Sequence, residues 1–394
     1  MAGTTASAGL RQPLDLSRRF PGFGDFSAPQ VVVDADALAA NIARMGGIAA
    51  GKVALHPHVK THKSGQIAAM QRKAGAAGFT VARPNEAVML LRNGLGPVTL
   101  AYPMIDAGAI SRLVSNPGNG DVRFVADSAQ GVDALASAAK TAGRALDVFI
   151  KVDVGLHRCG VDPHGDAASL LARKIAGHRH LRFIGLLAHA GHAYGAGDAE
   201  GIRSIARQEL DLLSSLRDRL EGAGIGIPLV SVGSTPTLLA NAGFDGIDEV
   251  RPGNYVFLDL TAVRLGIAER NDLALGIAAR IVSANGTYAI ANVGSKTLTS
   301  DLGAHGSSTA ASFGEAWIEG EARPFSVEKL SEEHAFLRLE SRSLAIGTPV
   351  LILPNHSCPV ANLSGGLALL QHGAASRLFA IDARSNDEVP AARE

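Results

Sequence analysis

The feature that most constrains the fold of this chain is a repeated alternation of short strand-like runs with longer helical stretches rich in Ala and Leu. The strand-like runs lie at 30–35, 53–60, 78–83, 98–103, 122–127, 146–153, 182–189, 229–234 and 249–257. Between them, segments such as 198–221 carry apolar residues at helical spacing, which predicts a face packed on a sheet. Without the first run, eight β/α units remain. Such a repeat closes most naturally into a TIM-type (β/α)8 barrel, with a doubly wound open sheet as the structural alternative.

The pattern changes near residue 263, where strand-like runs are separated by turns instead of helices. Asn285-Gly286 lies between two such runs and is a hairpin signal. We therefore predict an α/β fold with an N-terminal extension over 1–29, a barrel domain over 30–262 and an all-β domain over 263–394. The run at 30–35 is left over by the barrel count and is a candidate to pair with the β domain.

Charge balance and composition exclude several classes of partner. The 394 residues include 37 Lys and Arg against 37 Asp and Glu, so no bulk positive charge is available to hold nucleic acid or an anionic membrane. No window has the ~18 to 20 consecutive apolar residues of a membrane span, and residues 1–28 lack the apolar core of a signal peptide. With only Cys159 and Cys358, a disulfide framework is not expected. We therefore predict a globular, cytoplasmic protein.

Lys60 is the first candidate for chemistry, because it ends the second strand-like run. Strand alternation puts His56, His58 and Lys60 on one face, which points into the barrel if the strand does. Desolvation lowers the pKa of a lysine aimed into a barrel mouth, and such a lysine can form a Schiff base with an aldehyde such as pyridoxal phosphate (PLP). A solvated lysine at the strand end is the alternative.

The same residues also fit a metal site. A His-x-His pair at the end of a barrel strand, with Lys151 and His189 on later strands, resembles the ligand sets of amidohydrolase barrels. The ammonium of Lys60 argues against this metal-site interpretation, because it would repel the cation.

Two turns after later strands have the composition of phosphate-binding loops. Gly233, Ser234 and Thr235 follow one strand, and Gly253-Asn254 follows the next. Backbone N–H groups and hydroxyls at such turns can hold a phosphate, and phosphate sites recur after strands seven and eight of TIM barrels. Each turn alone is explained equally well by helix capping. Two turns at adjacent positions favour a cofactor that carries a phosphate.

Two further loops carry polar side chains. DVGLHRCG follows the strand-like run at 146–153, and LAHAG ends the run at 182–189. Arg158 could bind a carboxylate or a phenolate-like oxygen through its planar fork, and a simple Asp153–Arg158 ion pair is the alternative. His189 ends the following strand. Cys159 is interpreted as a small packed residue rather than a nucleophile.

The segment PNHSC carries a second candidate centre. On an extended stretch, His356 and Cys358 would present an imidazole and a thiolate on one side, a pair that suits Zn²⁺ or a similarly borderline metal. Two ligands are too few for a closed structural site, so a real site would be open and catalytic. A turn with an incidental His and Cys is the alternative.

Taken together, these segments resemble the D-threonine aldolase and D-serine dehydratase family, which includes D-threo-3-hydroxyaspartate dehydratase. Members of that family are fold-type III PLP enzymes with an alanine-racemase-like barrel. Six motifs carry the resemblance in order along the chain: HPHVKTHKS, DVGLHRCG, LAHAG, VSVGSTPT, RPGNYVFLDL and PNHSC.

The resemblance implies a role for each site residue. Lys60 is the catalytic lysine that bonds PLP, and Arg158 and His189 line the cofactor ring. The phosphate is held by a set of turn residues, and one tyrosine completes the cofactor-binding set: Gly233, Ser234, Thr235, Gly253 and Asn254, then Tyr255. His356 and Cys358 bind a divalent metal, either Zn, Mn or Mg. Family members are homodimers and act on small D-amino acids.

The family divides on chemistry, and the metal motif is the most useful clue. Members with His-x-Cys tend to be dehydratases, whereas several aldolases carry His-x-Asp followed by Pro-Thr. This chain has His356-x-Cys358, continuing as Pro359-Val-Ala-Asn362, which partly resembles the aldolase branch. The resemblance favours a dehydratase that converts D-serine, D-threonine or D-threo-3-hydroxyaspartate to a keto acid and ammonia. A D-threonine aldolase is the alternative, and an amino-acid racemase or an amidohydrolase is less favoured.

Overall fold

The computed structural model describes residues 14–384, except for 116–120, 242, 305–309, 373 and 375. The chain divides into two compact units. The first, the β unit, contains Met1–Arg44, Gly197–Ala199 and Asn254–Ile381. The second, the barrel unit, contains Met45–Ala196, Glu200–Gly253 and Asp382–Glu394.

Strands and helices make up most of the described residues. The strands are β1 Gln30–Asp34, β2 Ala54–Leu55, β3 Phe79–Val81, β4 Val98–Leu100, β5 Val122–Ala126, β6 Leu146–Val152, β7 Leu181–Ala188, β8 Leu229–Val232, β9 Glu249–Val250, β10 Leu275–Ala284, β11 Tyr288–Ala291, β12 Gly314–Trp317, β13 Phe325–Leu330, β14 Ala335–Arg338, β15 Pro349–Pro354, β16 Gly366–Leu370 and β17 Arg377–Ala380. The α-helices are α1 Leu16–Arg19, α2 Ala35–Ala49, α3 Gly65–Lys73, α4 Pro84–Arg92, α5 Ala107–Val114, α6 Ala129–Ala142, α7 Ala167–Ala176, α8 Ala199–Gly222, α9 Thr235–Leu239, α10 Leu260–Arg264, α11 Ser295–Leu298 and α12 Ser357–Leu363. Short 3₁₀ helices lie at Phe23–Asp25, Val59–Thr61, Gly191–Gly195, Asn254–Val256 and Arg270–Asp272. None of these helices is long and apolar enough to cross a membrane.

The barrel unit contains a parallel sheet with the strand order β2-β9-β8-β7-β6-β5-β4-β3. A parallel bridge between His58 and Thr80 joins the two ends of this order, and Thr80 Oγ1 donates to the carbonyl of His56 at 2.9 Å. Both ends of the sheet are therefore paired, which an open doubly wound sheet would not allow. The predicted (β/α)8 barrel is confirmed.

Buried strands and amphipathic helices build this unit. All five residues of β5 are buried, and its Val125 packs with Phe149 of β6 and Leu187 of β7. Helix α8 buries the apolar face that its spacing predicts: Ile202, Ala206, Leu213, Leu216 and Leu220. Glu209 is also buried on this helix, although its side chain is ionisable.

The β unit contains a nine-stranded sheet with the order β11-β14-β13-β12-β15-β10-β1-β16-β17, and an additional β10–β11 pairing closes six of these strands into a ring. The strands pair antiparallel, except that β1 lies parallel to β16. The β10–β11 hairpin turns at Asn285, whose side-chain oxygen accepts from the backbone N–H groups of Thr287 and Tyr288 at 2.8 and 2.9 Å. The hairpin predicted from Asn285-Gly286 is confirmed.

The run at 30–35, which the barrel count leaves over, forms β1 and pairs with both β10 and β16. The units change over between Gly253 and Asn254, earlier than the boundary predicted at 262/263. Part of the predicted extension also belongs to the β unit, since Leu16 and Phe20 are buried and Arg19 pairs with Asp34 of β1 at 2.5 Å. The rest of that extension, 1–13, and the C-terminal residues 385–394 lie outside the described residues.

Candidate active site

A buried network of charged side chains joins strands inside the barrel unit. Arg123 of β5 donates to Glu249 of β9 at 2.5 and 3.2 Å, and its Nη2 lies 2.9 Å from Nδ1 of His56. Burial, partly offset by the Glu249 carboxylate, lowers the pKa of His56 to about 4, so the ring is neutral. Because His56 is engaged with an arginine and a glutamate, its contacts do not support the amidohydrolase-type metal pair.

Lys60 lies on the 3₁₀ helix Val59–Thr61 and not on a strand. Strand β2 ends at Leu55, and the chain stays extended as far as His58, whose N–H donates to the carbonyl of Pro252 at 2.8 Å. Nδ1 of His58 then accepts from the backbone N–H of Lys60 at 3.4 Å and caps the turn. Strand alternation therefore stops before Lys60, because a local side-chain cap replaces the ladder pairing that would continue the strand.

The turn after β9 packs against this lysine turn. A Cβ on Gly253 would lie 2.9 Å from the carbonyl oxygen of His58 and 3.3 Å from Oγ1 of Thr61. Only glycine fits such a close backbone approach without displacing the neighbouring turn. The fold thus packs Gly253 against the turn that carries Lys60, and both are predicted site positions.

Positive charge is concentrated around His58. Burial lowers the pKa of His58 well below its usual value, and the charges of Lys60, Arg251, Lys151 and Arg158 add to this effect. Burial also lowers the pKa of Lys151 to about 7, again with contributions from Arg251, Arg158 and Lys60. Four cationic groups near one buried ring are costly unless an anion accompanies them. The residues present therefore fit a cofactor with a phosphate and a phenolate, as PLP has.

Arg251 and Glu209 are buried residues to which the sequence motifs gave no role. The guanidinium of Arg251 donates to Ser231 Oγ at 2.5 Å and to the carbonyl of Ala188. Burial raises the pKa of Glu209 to about 7, although Arg251 and two backbone N–H groups oppose the shift. The signal for Glu209 was present in the sequence, since it occupies an apolar position in the helical repeat of α8.

The Gly233–Thr235 turn is a capped helix start. Ser234 is the N-cap of α9 and forms a capping box with Thr237, whose Oγ1 accepts from the Ser234 N–H at 3.0 Å. Gly233 has a φ of +100°, and its carbonyl lies 3.3 Å from Nδ1 of His189. The turn therefore places His189 beside Gly233. Its hydrogen bonds match the helix-capping interpretation of this turn, and its role as a phosphate site remains a prediction.

The loop after β6 is organised by Asp153. Its carboxylate accepts from the backbone N–H groups of Gly155 and His157 at 3.0 Å and pairs with Nδ1 of His157 at 3.1 Å. The Asp153–Arg158 ion pair considered from the sequence is therefore wrong, because Asp153 binds its own loop. Arg158 is exposed, and its charge acts on His58 and Lys151.

The second candidate centre lies in the β unit, at the start of α12. His356 is the N-cap of this helix and Cys358 lies in its first turn, so the pair is brought together by a helix start and not by an extended stretch. Nδ1 of His356 lies 2.9 Å from Oδ2 of Asp301. Burial alone would lower the pKa of His356, but the Cys358 sulfur, Asp259 and Asp301 raise it to about 9. The surroundings of this imidazole thus attract a positive charge.

Asn254 belongs to the same cluster. Its side-chain N–H groups donate to Asp259 Oδ2 and Ser357 Oγ, both at 2.9 Å, and lie 3.9 Å from the sulfur of Cys358. Its side-chain oxygen is buried and has no hydrogen-bond partner among the described residues. The side-chain amide of Asn254 therefore contacts the His356–Cys358 cluster, and its role in binding a phosphate remains a prediction. Tyr255, the next residue, is buried.

This donor set fits a divalent metal. An imidazole and a thiolate are ligands of Zn²⁺ and similar borderline metals, and the nearby carboxylates compensate a cation. Within the described ranges, no group of three or more His, Cys, Asp or Glu side chains is arranged to hold a metal. The pair is therefore a fit for an open site, in which other ligands complete the coordination.

Models of known families match both parts of the chain. The model of the alanine racemase N-terminal domain covers residues 33–261, more than half of the chain. The chain belongs to this family. The model of the serine dehydratase domain covers residues 274–369, which include the His356–Cys358 pair.

Family members with known activity match over nearly the whole chain. The D-threo-3-hydroxyaspartate dehydratase of Delftia sp. (strain HT23) is 33% identical over 343 residues, covering 84% of this chain and 90% of that protein. A D-threonine aldolase of Arthrobacter sp. is 27% identical over 363 residues, covering 90% of this chain and 92% of that protein. The solved structures of the Delftia dehydratase and of its cysteine-to-alanine mutant in the metal-free form each match with a TM-score of 0.83 and 29% identity, covering 91% of this chain and 98% of theirs.

These matches confirm the resemblance to the D-threonine aldolase and D-serine dehydratase family and the alanine-racemase-like fold. They also confirm the predicted class of enzyme, a PLP-dependent lyase of fold type III. The roles of the individual site residues remain predictions.

Proposed function

We propose that this member of the family is a PLP-dependent, metal-assisted dehydratase of D-3-hydroxy amino acids, with a keto acid and ammonia as products. The observation that carries the proposal is the His356–Cys358 pair, set in a cluster that attracts a cation. It lies in a chain similar over most of its length to a D-threo-3-hydroxyaspartate dehydratase. The metal-free cysteine-to-alanine mutant of that relative links a cysteine and a metal in one family member.

The barrel unit would hold and orient PLP. Lys60 is the residue that would bond the cofactor, and Lys151, Arg158 and Arg251 supply the positive charge for its anionic groups. His189 would line the ring, with its Nδ1–H donated to the Gly233 carbonyl. When bound, PLP supplies an electron sink for negative charge at the Cα of an amino acid.

Proton transfer at the substrate would fall to Lys60. Once its amine is free, it can act as the general base that removes the Cα proton. The positively charged side chains of Lys151, Arg158 and Arg251 lie in the same cluster as Lys60. The same charges hold the anionic groups in place while the proton moves.

The His356–Cys358 pair would hold the divalent metal, which supplies Lewis acidity at a 3-hydroxyl and makes hydroxide a better leaving group. Asn254, Ser357 and Asp259 fix the first turn of α12 and with it the Cys358 side chain. This requirement for a 3-hydroxyl limits the substrates to amino acids such as D-serine, D-threonine and D-threo-3-hydroxyaspartate.

Product identification tests the proposal. The PLP-loaded protein is incubated with D-threonine and Mn²⁺ or Zn²⁺, and the products are separated by chromatography. The dehydratase forms 2-oxobutyrate and ammonia. In Cys358→Ala, we expect the metal to be lost and the rate to fall by at least about 100-fold, while PLP stays bound. An unchanged rate in this variant would remove the metal from the reaction.

The alternative is a D-threonine aldolase, which the similarity to the Arthrobacter enzyme favours. The same residues would serve it, because a base that takes the proton of the 3-hydroxyl instead directs cleavage of the Cα–Cβ bond. Glycine and acetaldehyde in the assay would establish the aldolase. A homodimer in the cytoplasm remains the prediction from the family resemblance, and light scattering on the purified protein tests the dimer.

A further inference from the structure

Asp301 contacts the candidate metal pair but belongs to none of the sequence motifs. Its Oδ2 lies 2.9 Å from Nδ1 of His356. The side chain of Asp301 is 46% exposed, whereas that of His356 is 18% exposed. The carboxylate therefore meets one nitrogen of a mostly buried imidazole.

The hydrogen bond to Asp301 is made by Nδ1 of His356, and this determines whether Nε2 can bind a metal. A neutral imidazole whose Nδ1–H is donated to a carboxylate has its lone pair on Nε2, and a metal binds this form in place of the second proton. The carboxylate also increases the basicity of the ring and prevents rotation about the side-chain bonds. Nδ1 is occupied by Asp301, which leaves Nε2 for the cation.

We propose that Asp301 is a positioning residue for the metal, acting through His356 and not as a ligand itself. The inference rests on the proposed function, since it requires His356 and Cys358 to be the metal ligands. Asp301 selects the tautomer and the orientation of the imidazole, so its loss weakens metal binding while the ligands remain in place.

The two ligands have separate supports, which makes the inference testable. Cys358 lies in the helical turn held by Asp259, whose Oδ2 accepts from the Ser357 N–H at 3.0 Å and from the Asn254 amide at 2.9 Å. The hydrogen bond from His356 to Asp301 is independent of these contacts. Removing the Asp301 carboxylate is therefore expected to disturb the histidine and leave the cysteine unchanged.

The test measures metal affinity directly. Zn²⁺ alone is titrated into the metal-stripped, PLP-loaded protein by calorimetry. We expect Asp301→Ala to weaken binding by about 10- to 100-fold, the usual effect of losing such a support. Asp301→Asn keeps an oxygen that accepts from Nδ1–H, so we expect a smaller loss. His356→Ala and Cys358→Ala should each weaken binding more than either change.

Asp133→Asn is the matched control, because it removes an exposed carboxylate that lies 3.8 Å from His178 in the barrel unit. It should bind Zn²⁺ as the unchanged protein does. Titration with Co²⁺ adds a spectroscopic readout, since the thiolate-to-metal absorbance should persist in Asp301→Ala at saturating metal and vanish in Cys358→Ala.

The outcomes separate the two proposals. Unchanged Zn²⁺ affinity in Asp301→Ala and Asp301→Asn, with affinity lost in His356→Ala, would overturn the role of Asp301 and leave the metal pair standing. Unchanged affinity in both His356→Ala and Cys358→Ala would overturn the metal pair itself. If Asp301→Ala does not fold, Asp301→Asn decides. Equal loss in Asp301→Asn and His356→Ala would also contradict the inference, because an oxygen acceptor alone should preserve part of the affinity.

Discussion

At the scale of single residues, two lysines three positions apart have different surroundings. Lys60 lies on the turn near Lys151, Arg158 and Arg251. Lys63 is buried, and its Nζ lies 2.9 Å from Glu86. Both lysines belong to the segment HPHVKTHKS, and each has a histidine within two residues before it. Their charged neighbours tell them apart, because Lys63 meets a carboxylate and Lys60 lies among cations.

We expect Lys60→Ala to abolish turnover, because no other amine is proposed to bond PLP and take the Cα proton. Lys63→Met is the matched control. It leaves the buried Glu86 without its partner, so it should lower the free energy of unfolding by about 3–5 kcal/mol and preserve the rate per folded molecule. Initial rates and urea unfolding of both variants check this, and substantial activity in Lys60→Ala would contradict the assignment of that lysine.

His62 makes a residue-scale prediction for pH. Its buried ring contacts Gln71 at 3.2 Å and accepts from the Ser64 N–H at 3.2 Å. Burial lowers its pKa to about 3, with partial opposition from the hydrogen bond to Gln71. The unfolded chain therefore binds a proton that the folded protein does not, and stability falls as pH drops below about 6.5.

At pH 5, this one histidine should cost about 2 kcal/mol relative to neutral pH. We expect His62→Gln to have a smaller difference in the free energy of unfolding between pH 7 and pH 5 than the unchanged protein has. Urea unfolding at the two pH values measures the difference. Gly226→Ala is the control, because it changes no titratable group and a Cβ there meets nothing within 4 Å, so it should leave this difference unchanged.

At the scale of elements, the turn after β2 and the turn after β9 depend on each other. Gly253 lies so close to His58 that a Cβ would contact its carbonyl oxygen at 2.9 Å. Gly253→Ala must therefore displace one of the two turns, at an overpacking cost of about 1–3 kcal/mol. One of these two turns carries Lys60.

We expect Gly253→Ala to weaken PLP affinity by about tenfold, with a smaller effect on overall stability. Titration of the cofactor-free protein with PLP, followed by visible absorbance, measures the affinity. Gly226→Ala is the control, because a Cβ there meets nothing within 4 Å. Equal affinities in the two variants would show that the turn tolerates the methyl group.

At the scale of the whole molecule, the matching domain models cover two units of one chain, a barrel unit and a β unit. Under the proposed function, the barrel unit would hold PLP and the β unit would hold the metal. We expect a chelator to abolish dehydration while visible absorbance shows that PLP stays bound. It should also lower the melting temperature, since metal at about 100 times its Kd contributes about 2.7 kcal/mol. Racemisation that survives the chelator would instead support the racemase alternative.

The local sequence pattern alone predicted the repeated β/α units, the β hairpin at Asn285-Gly286 and the buried face of α8. Each of these depends on periodicity or turn chemistry within a few residues. The sequence pattern gave the wrong local structure where a residue distant in sequence, or a local side-chain cap, determines the conformation of the backbone. His58 caps the 3₁₀ turn that carries Lys60, and a helix start brings His356 and Cys358 together. Only tertiary structure could pair Asp301 with His356, or leave Glu209 buried beside Gly233 and Ala190, because these contacts join residues far apart in the chain.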